Sequence, residues 1–197
     1  MIKDSGDRTL FESGAVRDLR VGKGRCDLLP LDVVCGYLDS VEDTLSHETV
    51  KVLENIYFFK EDADVRHLED ALEYFVRLSG WQNHNTMLLE VAVQFEEGAA
   101  KYGDSNWQKG IPVRCYIDSA IRHYLKWCRG DNDEPHDRAF CWNILCGIWT
   151  CIHKPELNDY AKKEEECAPI TDGANHCCMC GEVIPEGFQV CYSCQSC

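Results

Sequence analysis

LLEVAVQFEEGAAKYGDSNWQKGIPVRCYIDSAIRHYLKWCRGDNDEPHDRAFCWNILC, from Leu88 to Cys146, decides the fold. It reads as three helices joined by two polar, glycine-containing turns. The first helix runs from about Thr86 to Tyr102. At roughly 100° per residue, Leu88, Ala92, Phe95, Ala99 and Tyr102 form its inward stripe. Glu90 and Glu97 point nearly opposite, and Glu96 lies at the stripe's edge, roughly 80° from its centre. An edge carboxylate can be half buried and aimed at a neighbour, so Glu96 is a better metal-ligand candidate than Glu97. Glu97 reads as a surface partner of Lys101, four residues on.

Gly103-Asp104-Ser105-Asn106-Trp107 turns the chain, and Gly110-Ile111-Pro112 starts the second helix. Trp107 is either a hydrophobic plug or a stacking surface for a base. The second helix, about Val113 to Trp127, buries Ile117, Ile121, Leu125 and Cys128. Asp118 flanks that stripe with Arg122 one turn on. The pair reads either as a helical ion pair or as a metal-binding Asp beside a phosphate-binding Arg. His123, alone on the other flank, reads as structural. DNDEPHD then places Asp131, Asp133, Glu134, His136 and Asp137 before a third helix that is apolar nearly all round and therefore central. Asp137 should point inward, and a buried carboxylate calls for a cation partner. Acids, histidines and cations recurring along one stretch suit a divalent metal and a phosphorylated ligand.

Working outward, residues 1–13 are polar and read as frayed. Residues 14–30, GAVRDLRVGKGRCDLLP, concentrate Arg17, Arg20, Lys23 and Arg25 among glycines. Such a segment is either a phosphate-binding arm or a solvated tail. Residues 31–83 hold two or three amphipathic helices. One spans about Glu48–Lys60, with Val52, Ile56 and Phe59 inward. Another spans about Val65–Leu78, with Leu68, Leu72, Phe75 and Val76 inward. Their acidic residues read as a solvated face. The helical domain covers residues 31–153, and residues 154–174 form a linker. In the tail, Cys177-x-x-Cys180 and Cys191-x-x-Cys194 have the spacing of a four-thiolate zinc ribbon over residues 175–197. Residues 168–197 contain no Lys or Arg, so the ribbon reads as structural or protein-docking.

The 197 residues fit one domain plus a small appendage, and 45% hydrophobic content can fill a core. A net charge of −14 argues against nucleic acid and anionic membranes as partners. MIKDSGDRTLFESG carries no apolar signal region, and no apolar run reaches about 20 residues. The expected setting is cytoplasmic, with a homo-oligomer left open.

Two blocks resemble a known family. The first is Ser13-Gly14-Ala15-Val16-Arg17-Asp18, with Gly22-Lys23-Gly24-Arg25 and Asp27-Leu28-Leu29-Pro30. The second holds Glu96, Gly98-Ala99, Lys101-Tyr102-Gly103, Asn106-Trp107, Gly110, Asp118, Arg122-His123 and Trp142-Asn143. Together they are similar to the phage-associated dATP/dGTP diphosphohydrolase N-terminal-domain family. That likeness implies an all-α, metal-dependent enzyme, MazG-like in style, acting in a host cytoplasm. It would cleave deoxynucleoside triphosphates to monophosphate and pyrophosphate. Residues 37–83 read as helices inserted between the blocks. Val93 breaks the E-x-x-E pattern of MazG-like helices. The expected metal shell is inferred from the residues: Glu96, Asp118, Asp133 and Asp137 around Mg²⁺ or Mn²⁺, completed by Glu97 or His136. The same acids are the expected catalytic set. Arg17, Lys23, Arg25, Asn106, Trp107 and Arg122 would meet the nucleotide. Two further readings stand beside this one. One is a non-catalytic helical interaction protein with a zinc-ribbon docking module. The other is an H…HD…D metal phosphohydrolase built on His123, His136-Asp137 and Asp159.

Overall fold

The computed structural model describes residues 8–19, 22–40, 47–161 and 183–184. The chain divides into two compact units, residues 1–162 and 163–197. The first is all-helical apart from one small hairpin. Strands β1 (Arg8–Leu10) and β2 (Val16–Asp18) pair antiparallel, with Leu10 opposite Val16 and Arg8 opposite Asp18. Helices follow at α1 (Leu31–Ser40), α2 (His47–Asp62), α3 (Val65–Leu78), α4 (His84–Tyr102), α5 (Val113–Arg129) and α6 (His136–His153). No described helix is long and apolar enough to cross a membrane. The cysteines of the expected zinc ribbon, Cys177, Cys180, Cys191 and Cys194, and the cation Arg20 lie outside the described residues.

The helices start where the local chemistry permits. Asp64 caps α3 by accepting from the Arg66 N–H at 3.0 Å, and Asn83 caps α4 by accepting from the Thr86 N–H at 3.1 Å. Their apolar faces meet around Phe75. Its ring lies 4.4 Å from Phe140, 5.1 Å from Trp127 and 6.0 Å from Tyr124, by centroids. Leu68, Ile56, Phe59, Ile117, Ile121 and Ile144 fill the space around these rings and are fully buried. Helices α2 and α3, which the sequence suggests as an insertion, are thus built into the core. A second cluster of Ala15, Ile111, Cys115, Tyr116 and Cys146 seats the hairpin.

Three expectations change. On α4 the buried residues are Met87, Val91 and Gln94, while Leu88, Leu89 and Val93 are exposed. The inward stripe is turned from the expected one and takes in the polar Gln94. On α5 the inward large residue is Tyr124; Leu125 and Cys128 are exposed. The Tyr124 hydroxyl donates to the Thr49 carbonyl at 2.5 Å, which satisfies its polar end inside the core. Residues 8–13, read as frayed, make β1 and its turn. Phe11 and Ala15 bond across that turn, which Gly14 closes with a φ of 78°.

Gly110 joins the turn after α4 to α5 with a φ of 120°. A Cβ there would lie 2.7 Å from Leu157 Cδ1 and 3.4 Å from Lys154 Cδ. Gly110→Ala should therefore cost about 1–3 kcal/mol. For a chain of this size that lowers Tm by about 2–4 °C per kcal/mol. An unchanged melting curve would show that the backbone there relaxes freely.

Candidate functional site

A cavity of about 660 Å³ opens between β2, α4, α5 and α6, a volume suited to a small organic ligand. Arg17, Asp18, Lys23, Asp104, Arg122, His123, Lys126, Asp133 and Glu134 supply its charged and titratable lining. Phe95, Trp107, Trp142 and Tyr102 supply its aromatic lining. Phe95 bridges Trp107 at 5.3 Å and Trp142 at 5.8 Å between centroids, and Trp107 meets Trp149 at 4.9 Å. Trp107 is therefore a plug on one side and a cavity wall on the other.

The strand at the rim is fastened by side chains. Asn106 accepts from the Val16 N–H and donates to the Val16 carbonyl, both at 2.8 Å. Asp18 accepts from Lys101 Nζ at 2.8 Å and from the Tyr102 hydroxyl at 2.6 Å. Arg17 donates from Nη2 to Asn143 Oδ1 at 2.6 Å and lies 5.1 Å from the Tyr116 ring centre. On α5, Arg122 is held by the fully buried Asp118 through its Nη2. Arg17 Nη1, Arg122 Nε, Trp142 Nε1 and Gln94 Oε1 are buried and have no hydrogen-bond partner among the described residues. A buried unpaired group costs roughly 1–3 kcal/mol, and all four of these belong to cavity-lining residues. Burial lowers the Lys23 ammonium from its ordinary value; Asp18 opposes this, and Arg122 and Arg17 add to it.

Beside these cations sits an acid–imidazole cluster. His123 Nδ1 and His136 Nδ1 are 3.0 Å apart, and Glu134 Oε1 is 3.7 Å from each. His136 Nε2 meets Asp133 Oδ1 at 2.8 Å, and Lys126 Nζ donates to Asp133 Oδ2 at 3.1 Å. Burial first, then His136 and the nearby cations, pushes the His123 imidazole down to about 3. The hydrogen bonds from His136 and Lys126 hold the Asp133 carboxyl well below its usual range.

Among the described residues, donors that could share one ion converge in two groups: His123, Glu134 and His136, and Asp131, Asp133 and His136. Neither contains Glu96, Asp118 or Asp137, so the four expected metal acids are not brought together. Glu96 is exposed on α4, whereas Glu97 is half-buried and takes Arg138 Nη2 of α6 at 2.8 Å. Asp118 accepts from Arg122 and from the Asp27 N–H at 3.3 Å. Asp137 is half-buried at the start of α6 and accepts from the Arg138 N–H at 2.8 Å. The expected buried acid–cation pair at this helix is thus Glu97 with Arg138. Asp133 alone of the four lines the cavity.

Of the expected nucleotide contacts, Arg17, Lys23, Asn106, Trp107 and Arg122 line the cavity. Arg25 instead grips Asp27 through Nε at 2.7 Å and Nη2 at 2.6 Å. Asn106 is committed to the Val16 backbone, so it positions the strand. Asp159 pairs with Arg114, accepting from its N–H at 3.1 Å, which takes it out of the H…HD…D reading. Gln94 and Lys126 join the lining unannounced, and His123 joins it although it read as structural. Gln94 carried a readable signal: it sits three and seven residues after the buried Val91 and Met87.

Residues 76–160 match a family model described as dATP/dGTP diphosphohydrolase, N-terminal. The matched segment is a little under half of the chain and contains α4, α5 and α6, with the hairpin outside it. No curated protein and no solved structure matches the chain.

The Asp18–Lys101 pair is largely buried, with 14% and 10% of the side chains exposed. Asp18→Ala removes the hydrogen bonds to Lys101 Nζ and the Tyr102 hydroxyl that tie β2 to α4. It should cost about 1.5–3 kcal/mol, seen as a lower urea midpoint at unchanged slope. An unmoved midpoint would mean the hairpin is seated without this pair, by the Asn106 clasp and the packing of Ala15.

Proposed function

We propose that the domain matched over residues 76–160, completed by β2 and Lys23, binds a purine deoxynucleoside triphosphate in this cavity. The reaction is hydrolysis to the monophosphate and pyrophosphate with a divalent cation. One observation carries the reading. In a chain of net charge −14, Arg17, Lys23, Arg122 and Lys126 line one cavity beside an aromatic wall of Phe95, Trp107 and Trp142. A polyphosphate is matched by the first set and a base by the second. The family's name supports the substrate class.

Arg17 and Arg122 are held in place by Asn143 and Asp118, so little ordering is required when an anion arrives. Lys23, lowered by burial, gains most from an incoming phosphate charge. The aromatic wall gives a purine a face to stack on and excludes water from that side. A divalent cation would lower the pKa of a bound water and neutralise the departing pyrophosphate. The donors that fit it are the carboxylate of Glu134 and the two imidazoles, since they converge beside the cations, with Asp133 behind His136. Asp133 and Glu134 lie within 4.0 Å of Lys126, which keeps the phosphate-side charges balanced before binding.

The test is to incubate the full-length protein with each deoxynucleoside triphosphate and Mn²⁺ or Mg²⁺ and to separate the products by chromatography. Monophosphate and pyrophosphate are expected. Release of single phosphates would place the cleavage elsewhere, and absence of turnover with every nucleotide and ion would leave a binding protein. Arg17→Met keeps the stem and loses the charge. It should raise KM by about 10- to 100-fold, the worth of one charge-assisted hydrogen bond. An unchanged KM would remove Arg17 from the phosphate contacts.

A further inference from the structure

The two histidines of the cavity face each other through like atoms. His123 Nδ1, on α5, is 3.0 Å from His136 Nδ1, at the first turn of α6. The other ring nitrogen of His136 lies 2.8 Å from Asp133 Oδ1. An ionised carboxylate only accepts, so the His136 proton sits on Nε2 and its Nδ1 keeps a bare lone pair. That lone pair points at His123 Nδ1, and something positive has to lie between them: a proton or an ion. Two nitrogens bound side by side to one ion at about 2.0–2.1 Å are themselves about 3.0–3.4 Å apart. The observed spacing has that value before any ion enters. Glu134 Oε1, at 3.7 Å from both nitrogens, stands at the third corner.

We propose that His123 Nδ1, His136 Nδ1 and Glu134 form a site for a divalent first-row transition-metal ion, with Asp133 orienting His136 from behind. A carboxylate on the far nitrogen of a metal-binding histidine fixes its tautomer and raises its basicity. The competing group, Asp131 with Asp133 and His136, is already engaged: Asp131 takes Arg129 through Nε at 2.7 Å, and Asp133 takes Lys126 and His136. Two imidazoles select against Mg²⁺, which prefers oxygen donors and waters. The site is also partly dry, with side-chain exposures of 1% for His136, 14% for His123 and 23% for Glu134. The nearby positive charges do not close it to a cation. Arg122 is matched by Asp118, and Lys126 is matched by Asp133. This site would supply the ion that the hydrolysis reading calls for, yet it stands on its own geometry and is tested without substrate.

The test titrates full-length protein with Mn²⁺, Co²⁺, Ni²⁺ and Mg²⁺ in the absence of nucleotide, by calorimetry. His123→Ala and Glu134→Gln run alongside, so that ions held by the cysteine-rich C-terminal residues cancel in the difference. Circular dichroism melting checks that each variant folds, and Glu134→Gln decides if His123→Ala does not. The wild type should bind one ion more than either variant. Its affinity should rise at least tenfold from Mn²⁺ to Ni²⁺, as nitrogen donors require, with Mg²⁺ weakest. Asp133→Asn should weaken binding by about 10- to 100-fold. Equal binding by wild type and the folded variant, or Mg²⁺ held as tightly as Ni²⁺, overturns the site. Ion binding as expected but without nucleotide turnover would sink the hydrolysis reading and leave the metal site standing.

Discussion

The carboxamide of Asn106 answers both backbone groups of Val16, each at 2.8 Å, and this clasp is what lets a helical protein carry a strand at its cavity. A two-stranded hairpin has two open edges, and backbone groups left unpaired against packed helices cost as much as lost hydrogen bonds. One side chain substitutes for a missing third strand. Once Val16 is held, Arg17 falls beside Asn143 and Tyr116, and Asp18 beside Lys101 and Tyr102. The cavity rim follows from that register.

The same logic governs the charges. Helices α4 and α5 and the turn before α6 each bring carboxylates to partly or fully buried positions or to the cavity, and these are paired. Glu97 meets Arg138, Asp118 meets Arg122, and Asp133 meets His136 and Lys126. A carboxylate removed from water must be compensated. Here the compensating cation is often the residue that also faces the cavity, as with Arg122 and Lys126. An acidic protein thereby gathers four cations, Arg17, Lys23, Arg122 and Lys126, at one cavity whose carboxylates are Asp18, Asp104, Asp133 and Glu134.

Much of this was legible in the sequence. The span Val65–Leu78 could be read to the residue, since Leu68, Phe75 and Val76 repeat at helical spacing behind an Asp cap. The family likeness, carried by short motifs such as Lys101-Tyr102-Gly103 and Asn106-Trp107, agrees with the match over residues 76–160. What failed was the orientation of faces that mix polar and apolar residues. Leu88 and Ala92 looked inward because periodicity counts hydrophobicity, whereas α4 turns Met87, Val91 and Gln94 inward and pairs Glu97 with Arg138 and Lys101 with Asp18. Glu96 consequently lost its place to Glu97. The hairpin was invisible because three-residue strands carry almost no periodic signal. The pairing of His123 with His136 depends on how α5 and α6 cross, which no local pattern encodes.

The bond from Arg17 to Asn143 spans 126 positions of the chain, and the clasp from Val16 to Asn106 spans 90. Chains are made from the N-terminus, so a nascent chain emerges with β2 long before the helices that receive it. Closing so large a loop also carries an entropic cost before any contact repays it. The helical core around Phe75 can assemble from nearer neighbours, with the rim strand docking afterwards. The complete cavity is then the last feature the molecule acquires as it matures, and a chain cut short of α6 can be largely helical while having no pocket to offer.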